Sequence, residues 1–158
     1  MMREKNLREL TLPLSECPLM PHWGTLKEAI VQLNVVRETG HDAIVVFDEA
    51  YHLVGILSQR DILKELDASR GRFDEKGLPG SWDHQIREET AERLSRPVKD
   101  FMVKAVATVD VSDSILDASR IMLQEGATLL PVMERGKAFG VVRLGDLFYQ
   151  ITNAILGL

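Results

Sequence analysis

Apolar residues recur at helical spacing in two well-separated stretches of the chain. Leu26, Ala29, Ile30 and Leu33 form one stripe, and Ile115, Ala118, Ile121 and Met122 form the other. Each stripe predicts an amphipathic helix with one buried face. Thr25 precedes the first stripe and Ser112 or Ser114 the second, residue types whose side-chain oxygens cap helix N-termini. Gly40 and Gly126 follow the stripes and suit the left-handed conformation that ends a helix. After each glycine comes a short apolar run, AIVVF at 43–47 and TLLPVM at 128–133, then a polar turn and a second run, LVGIL or AFGVV. Each pair of runs predicts a hairpin. A second helix closes each stretch, DILKEL opening on Asp61 and DLFYQITNAIL opening on Asp146.

The same order of features therefore occurs twice, from Thr25 to Leu66 and from Ser114 to Ile151. The turns DEAYH and ERGK differ in length and the first helix is expected to be about a turn longer, as repeats tolerate. Gly55 precedes Asp61 by the same interval that separates Gly140 from Asp146. With short leading stretches, CPLM at 17–20 and AVATV at 105–109, each copy reads strand, helix, strand, strand, helix. The fold class is α/β (α+β), a mixed sheet covered by helices. One copy alone leaves a sheet face bare, so the two copies are expected to pack with pseudo-twofold symmetry. The organisation is a first repeat at 7–68, a linker at 69–95 and a second repeat at 96–158, together one compact module. Gly71, Gly77, Pro79 and Gly80 make the first half of the linker irregular, IREETAERL predicts a short helix in its second half, and Trp82 is expected to pack the linker down. PVKDFM, before the second repeat, resembles NLRELTL before the first.

The motifs GILSQRD, Gly55 to Asp61, and GVVRLGD, Gly140 to Asp146, resemble the Gly-apolar-apolar-Thr/Ser-x-x-Asp/Asn signature of cystathionine-β-synthase (CBS) domains. SILDA, EGATLLPV and VKDFMVKAVATV stand in the order seen in that family, so the resemblance covers about residues 7 to 157 apart from the linker. It implies a Bateman module: a disc of two repeats with two clefts between them that take adenosine-containing ligands. Carried over residue by residue, it implies Asp61 and Asp146 on ribose hydroxyls and Ser58 on phosphate or ribose. Arg143 stands where the family has the hydroxyl. The resemblance further implies a homodimer paired through helical faces, and a regulated protein in trans.

The chemistry of these residue types agrees. A carboxylate accepts two hydrogen bonds from vicinal hydroxyls, and a helix N-terminus favours negative charge, so ribose and phosphate suit one corner. Adenine asks for an apolar slot edged by backbone groups, which the strands carrying Val106, Pro131 and Val132 are expected to supply. Pro131 interrupts strand pairing and leaves a carbonyl for the base. Lys104 is a further phosphate contact, or a solvated loop lysine. Arg143 either makes planar phosphate contact or fills its cleft by pairing with Asp146. The plain alternative for Asp61 and Asp146 is that they are helix N-caps.

Composition limits the remaining choices. The 158 residues are 45% hydrophobic, enough for a sizeable core, and carry a net charge of −5. No general positive field attracts nucleic acid, though a local basic cluster can meet a small anion. No apolar run approaches the roughly 20 residues of a membrane span, and the charged N-terminus lacks a secretory core, so a soluble, cytoplasmic protein is expected. Cys17 is the only cysteine, which removes intrachain disulfides and multi-cysteine zinc sites, and it reads as a small buried apolar group. His22, His41, His52 and His84 show no metal-ligand spacing, and no nucleophile elbow or phosphate-binding glycine loop occurs. No catalytic residue, metal ligand or required cofactor is therefore expected, apart from a divalent ion riding on phosphates. The leading expectation is a non-catalytic regulatory module for AMP, ADP or ATP. The alternatives are a ligand-independent dimerisation or scaffold module, a binder of S-adenosylmethionine or NAD, and, third, an enzyme using Cys17 or a histidine.

Overall fold

The computed structural model describes residues 5–70, 90–104 and 106–158, with the backbone alone for 67–70. Trp82 and the irregular first half of the linker lie outside these residues. Elements are numbered in chain order. A short helix α1 (Leu7–Leu10), started by the Asn6 side chain, leads into β1 (Leu12–Pro13) and β2 (Leu19–Pro21). Helix α2 (Leu26–Val35) opens on a reciprocal cap: Thr25 Oγ1 accepts from the Glu28 N–H, and the Glu28 carboxylate accepts from the Thr25 N–H. The extra turn expected of this helix is not α-helical. Arg37–Thr39 form a 3-10 turn that ends on Gly40 at φ +80°, a conformation that costs glycine little.

Strands β3 (Ala43–Phe47) and β4 (Leu53–Ser58) form the first hairpin, and α3 (Gln59–Arg70) follows without a break. Asp48 organises the intervening turn, its carboxylate accepting the N–H groups of Ala50 and His52 at 2.9 and 2.8 Å. Of the expected linker helix, residues 90–94 are described and are helical, and Arg93 ties them to Glu65 of α3. The second copy runs β5 (Val109–Asp110), α4 (Ile115–Glu125), β6 (Leu129–Glu134), β7 (Lys137–Arg143) and α5 (Leu144–Leu156). Ser114 caps α4, while the Ser112 hydroxyl is engaged by Asp110. The expected order of strand, helix, strand, strand, helix is present in both copies.

Each copy builds the same mixed sheet. β2 lies parallel to β3 and β3 antiparallel to β4; β5 lies parallel to β6 and β6 antiparallel to β7. A parallel neighbour demands a crossover, which α2 and α4 provide while covering the sheet. Ile44, Val46 and Leu57 face Leu26, Ala29 and Leu33 in one core. Leu130, Val132 and Val142 face Ala118, Met122 and Leu147 in the other. Burying each of the larger of these side chains, the valines, leucines, isoleucine and methionine, is worth about 1.5–3 kcal/mol.

The chain groups into two compact units. One unit is Pro18–Lys104, and the other combines Met1–Cys17 with Ala105–Leu158. The leading segments are exchanged. β1 pairs antiparallel with β7, Leu12 opposite Val141, and so extends the sheet of the second repeat. Arg8 holds this segment through an ion pair with Glu134 and by lying 4.9 Å over the Phe139 ring. Conversely, Val103, which precedes β5, exchanges both backbone hydrogen bonds with Ile56 of β4, at 2.8 and 3.1 Å. Val98 belongs to the core of the first repeat and Leu7 to that of the second.

The two motif glycines make this exchange sterically allowed. A methyl group at Gly140 would sit 2.1 Å from the Leu12 carbonyl oxygen, and one at Gly55 would sit 2.7 Å from that of Val103. Both obstacles are backbone, so neither yields by a rotamer change. Gly140→Ala and Gly55→Ala are each expected to destabilise the protein by about 1–3 kcal/mol through overpacking. Gly145→Ala, where the added methyl meets nothing within 4 Å, is expected to leave stability unchanged or raise it by up to about 1 kcal/mol. Denaturant midpoints of the three variants check the contrast.

Candidate functional site

Each repeat turns from a strand directly into its closing helix, and the motif aspartate lies in the first turn of that helix. Asp61 is the third residue of α3 and Asp146 the third of α5, so neither is the N-cap. Ser58 and Arg143 hold the position before each helix. The strand register fixes that corner in the same way twice, Ala43 opposite Ser58 and Leu129 opposite Arg143. In addition, the first N–H of each helix bonds to the carbonyl that precedes the hairpin, Gln59 to Asp42 at 2.8 Å and Leu144 to Thr128 at 2.9 Å. Asp42 and Thr128 were not singled out by sequence reasoning. Their side chains carry no motif, because the backbone carbonyl does the work.

The first corner is a reciprocal cap. Ser58 Oγ accepts from the Asp61 N–H at 3.1 Å, while Asp61 Oδ2 accepts from the Ser58 N–H at 2.9 Å and from the Ser58 hydroxyl at 2.8 Å. One carboxylate oxygen thereby fixes the orientation of the group. Among the described residues Oδ1 accepts no hydrogen bond, which leaves it for an outside donor. Arg60 is exposed at the second position of the helix and does not contact Asp61.

The second corner replaces the hydroxyl cap with an ion pair. Arg143 Nε donates to Asp146 Oδ2 at 2.9 Å, with both side chains one-third exposed. No side chain caps the first turn of α5. The pairing weighed from the sequence is thus formed. Because both corners lie within single units, their geometry is set by the sheet that carries them.

The other residues singled out from the sequence are placed less directly. Pro131 is buried and faces Val141 across β7; β5 joins β6 only from Val132 onward, so proline sits where a ladder donor is not required. Val132 is fully buried in the second core, and its backbone lies in register between Val109 and Gly140. Its side chain therefore serves packing. Val106 is half-buried ahead of β5, and Lys104 is exposed after the Val103 bridge.

Cys17, read from the sequence as a buried apolar group, is half-buried, and its thiol donates toward the Leu12 and Pro13 carbonyls. It lies close enough to Arg143 to feel its charge, but burial outweighs this attraction and pushes the thiol up to about 11. A thiol so protonated is a poor nucleophile at neutral pH. Among the described residues no group of three or more His, Cys, Asp or Glu side chains is arranged to hold a metal ion, and no helix is long and apolar enough to cross a membrane.

Two tandem β-α-β-β-α repeats, each closing on a helix with an acidic residue in its first turn, define the class of protein. The chain belongs to the CBS domain family, whose model matches residues 24–68 and 98–153. It is 30% identical over 133 residues to an uncharacterized 17.7 kDa protein of Acidianus ambivalens, covering 78% of this chain and 67% of that one. Of three other curated relatives it spans between 26% and 54% of the length. The fold is similar to that of CBSX2, an Arabidopsis thaliana CBS-pair protein, crystallised in complex with AMP: TM-score 0.68, 20% identity, 95% of this chain and 98% of that one. It is also similar to the cytosolic domain of the Mg2+ channel MgtE in complex with ATP, with TM-score 0.64, 23% identity, and coverage of 93% and 49%.

The thiol provides a check on this corner. Cys17 binds its proton more tightly in the folded state than in the unfolded chain, whose value is near 9. The stability it contributes is complete below pH 9 and is lost as pH rises toward 11. Iodoacetamide is expected to label native Cys17 slowly at pH 7.5 and faster as pH approaches 11. The denaturant midpoint is expected to fall less steeply above pH 9 in Cys17→Ser than in wild type.

Proposed function

We propose that this chain is a regulatory module that binds an adenosine-containing nucleotide, AMP, ADP or ATP, with Asp61 and Asp146 taking the ribose hydroxyls. The observation that carries this reading is the free carboxylate oxygen of Asp61. Its partner oxygen is locked by Ser58 at 2.8 and 2.9 Å, so the group is oriented beforehand and accepts a new donor at little entropic cost. The occurrence of the corner in both repeats supports it, as do the AMP and ATP held by the structural relatives. Ser58 and Arg143 stand beside phosphate or ribose, Val106 and the Pro131 carbonyl at the base, and Lys104 at the phosphates. A divalent ion on the phosphates is compatible with this reading.

No catalytic step belongs to the proposal. Occupancy acts by favouring one of two states of the module, which requires different affinities for the two. A homodimer and a regulated protein in trans complete it. The exposed apolar row Leu144, Phe148 and Ile155 on α5 supports pairing with a second copy. One observation favours a partly ligand-independent scaffold, the alternative reading: the Arg143–Asp146 pair already satisfies its corner without any ligand.

Thermal melts of protein freed of co-purified ligand, with AMP, ADP, ATP, S-adenosylmethionine or NAD, test the reading. At about 100 times the dissociation constant a nucleotide is expected to raise Tm by about 5–10 °C. Asp61→Ala and Asp146→Ala should each reduce that shift. A shift indifferent to both substitutions would remove the site assignment, and the absence of any shift would establish the scaffold reading.

A further inference from the structure

The two corners share a backbone frame and differ in charge. At Ser58–Asp61 the carboxylate is held by neutral donors, with no cation paired to it among the described residues. At Arg143–Asp146 the carboxylate is neutralised, and only Nε of the guanidinium is used. Among the described residues the two Nη groups of Arg143 have no hydrogen-bond partner. The ion pair thus works as a clamp: it holds the guanidinium through Nε while leaving the remaining N–H donors unused.

The surroundings favour an anion there. The first turn of α5 has no side-chain cap; the Thr128 carbonyl takes its first N–H, from Leu144, and N–H groups beyond it stay open to an anion. The space above Gly145, the second residue of the helix, is open, since a methyl group there would meet nothing within 4 Å. The one nearby thiol is held protonated by its burial and contributes no competing negative charge at neutral pH. At the first corner the neighbouring cation, Arg60, is exposed, stands where the second repeat has Gly145, and makes no hydrogen bond or ion pair with Asp61, so ordering it on a ligand costs side-chain entropy that Arg143 has already lost.

We propose that Arg143 makes the second corner a reader of ligand charge. It takes phosphorylated adenosine compounds in strong preference to uncharged adenosine, whereas the Ser58–Asp61 corner binds the ribose with little regard to phosphate. This inference rests on the nucleotide reading above and adds to it that the two corners are tuned to different ligands. A planar guanidinium meets phosphate oxygens through paired, charge-assisted hydrogen bonds that adenosine cannot make.

Calorimetric titration of the full chain with adenosine, AMP and ATP at one ionic strength tests the proposal. It uses wild type and an Asp61→Ala background that silences the first corner. In that background the affinity is expected to rise by at least about tenfold from adenosine to ATP. Adding Arg143→Ser should compress this ratio to about threefold or less while adenosine affinity stays within about threefold. Serine is itself an N-cap residue in front of α5, so this variant should fold, which its melting curve verifies. Arg143→Lys keeps the charge and loses the fork, and should retain an intermediate ratio. An unchanged ratio in Arg143→Ser, or an equal loss of adenosine and ATP binding, overturns the charge-reading role and leaves the nucleotide reading standing. Failure of all three ligands to bind wild type overturns that reading and this proposal with it.

Discussion

A backbone crossing at the motif glycines is the constraint on which the rest of the structure depends. In each repeat the third strand is approached by a leading segment so closely that a single methyl group would strike a carbonyl oxygen, at Gly140 from Leu12 and at Gly55 from Val103. The crossing gives β7 and β4 a neighbour on their outer edge, and an unpaired edge is a hazard for any sheet. It also anchors Leu7 and Val98 in the two cores. The glycines that open the motifs thus serve packing, while the aspartates that close them lie at the corner where a ligand is proposed.

Between glycine and aspartate the backbone follows one path in both copies, and the side chain before the helix decides what the corner can do. Serine there caps the helix and orients a carboxylate with one oxygen left unbonded among the described residues. Arginine forgoes the cap, which is typically worth about 1 kcal/mol, and gains a partly exposed ion pair, worth about 0–1 kcal/mol. Stability alone does not favour that exchange. The unused N–H donors of Arg143 are what the proposed reading of ligand charge draws on.

The repeats, the helix caps at Thr25 and Ser114, the left-handed glycines and the hairpins were legible in the sequence, because each rests on local periodicity or on a residue type with a strong conformational preference. The pairing of Arg143 with Asp146 was legible as one of two outcomes for the same reason, three residues of separation at a helix start. The exchange of leading segments was not. β1 is two residues long, and Val103 meets β4 through a single bridge, so no pattern of alternation announces either. Similarity between NLRELTL and PVKDFM showed that the two segments are equivalent, but equivalence does not say on which sheet each lies. The position of Asp61 and Asp146 within the first turn was missed by two residues, since aspartate is favoured both as a cap and immediately after one. The neighbourhood of Cys17 and Arg143 joins residues far apart in the chain and depends wholly on that exchange.

The exchanged connection also dictates an order of events during synthesis. Once residue 104 has left the ribosome the first unit is complete, with Val98 and Val103 already in place. The segment that carries β1 then has no sheet of its own unit to join. Leu12 must wait for Val141 in β7, the last of the described strands to be made, and until then a segment carrying Leu7 and Leu10 stays apolar and unpaired. Contacts so remote in sequence form slowly, and exposed apolar segments are where nascent chains go astray. The segment around β1 therefore closes onto its unit only after β7 has been made.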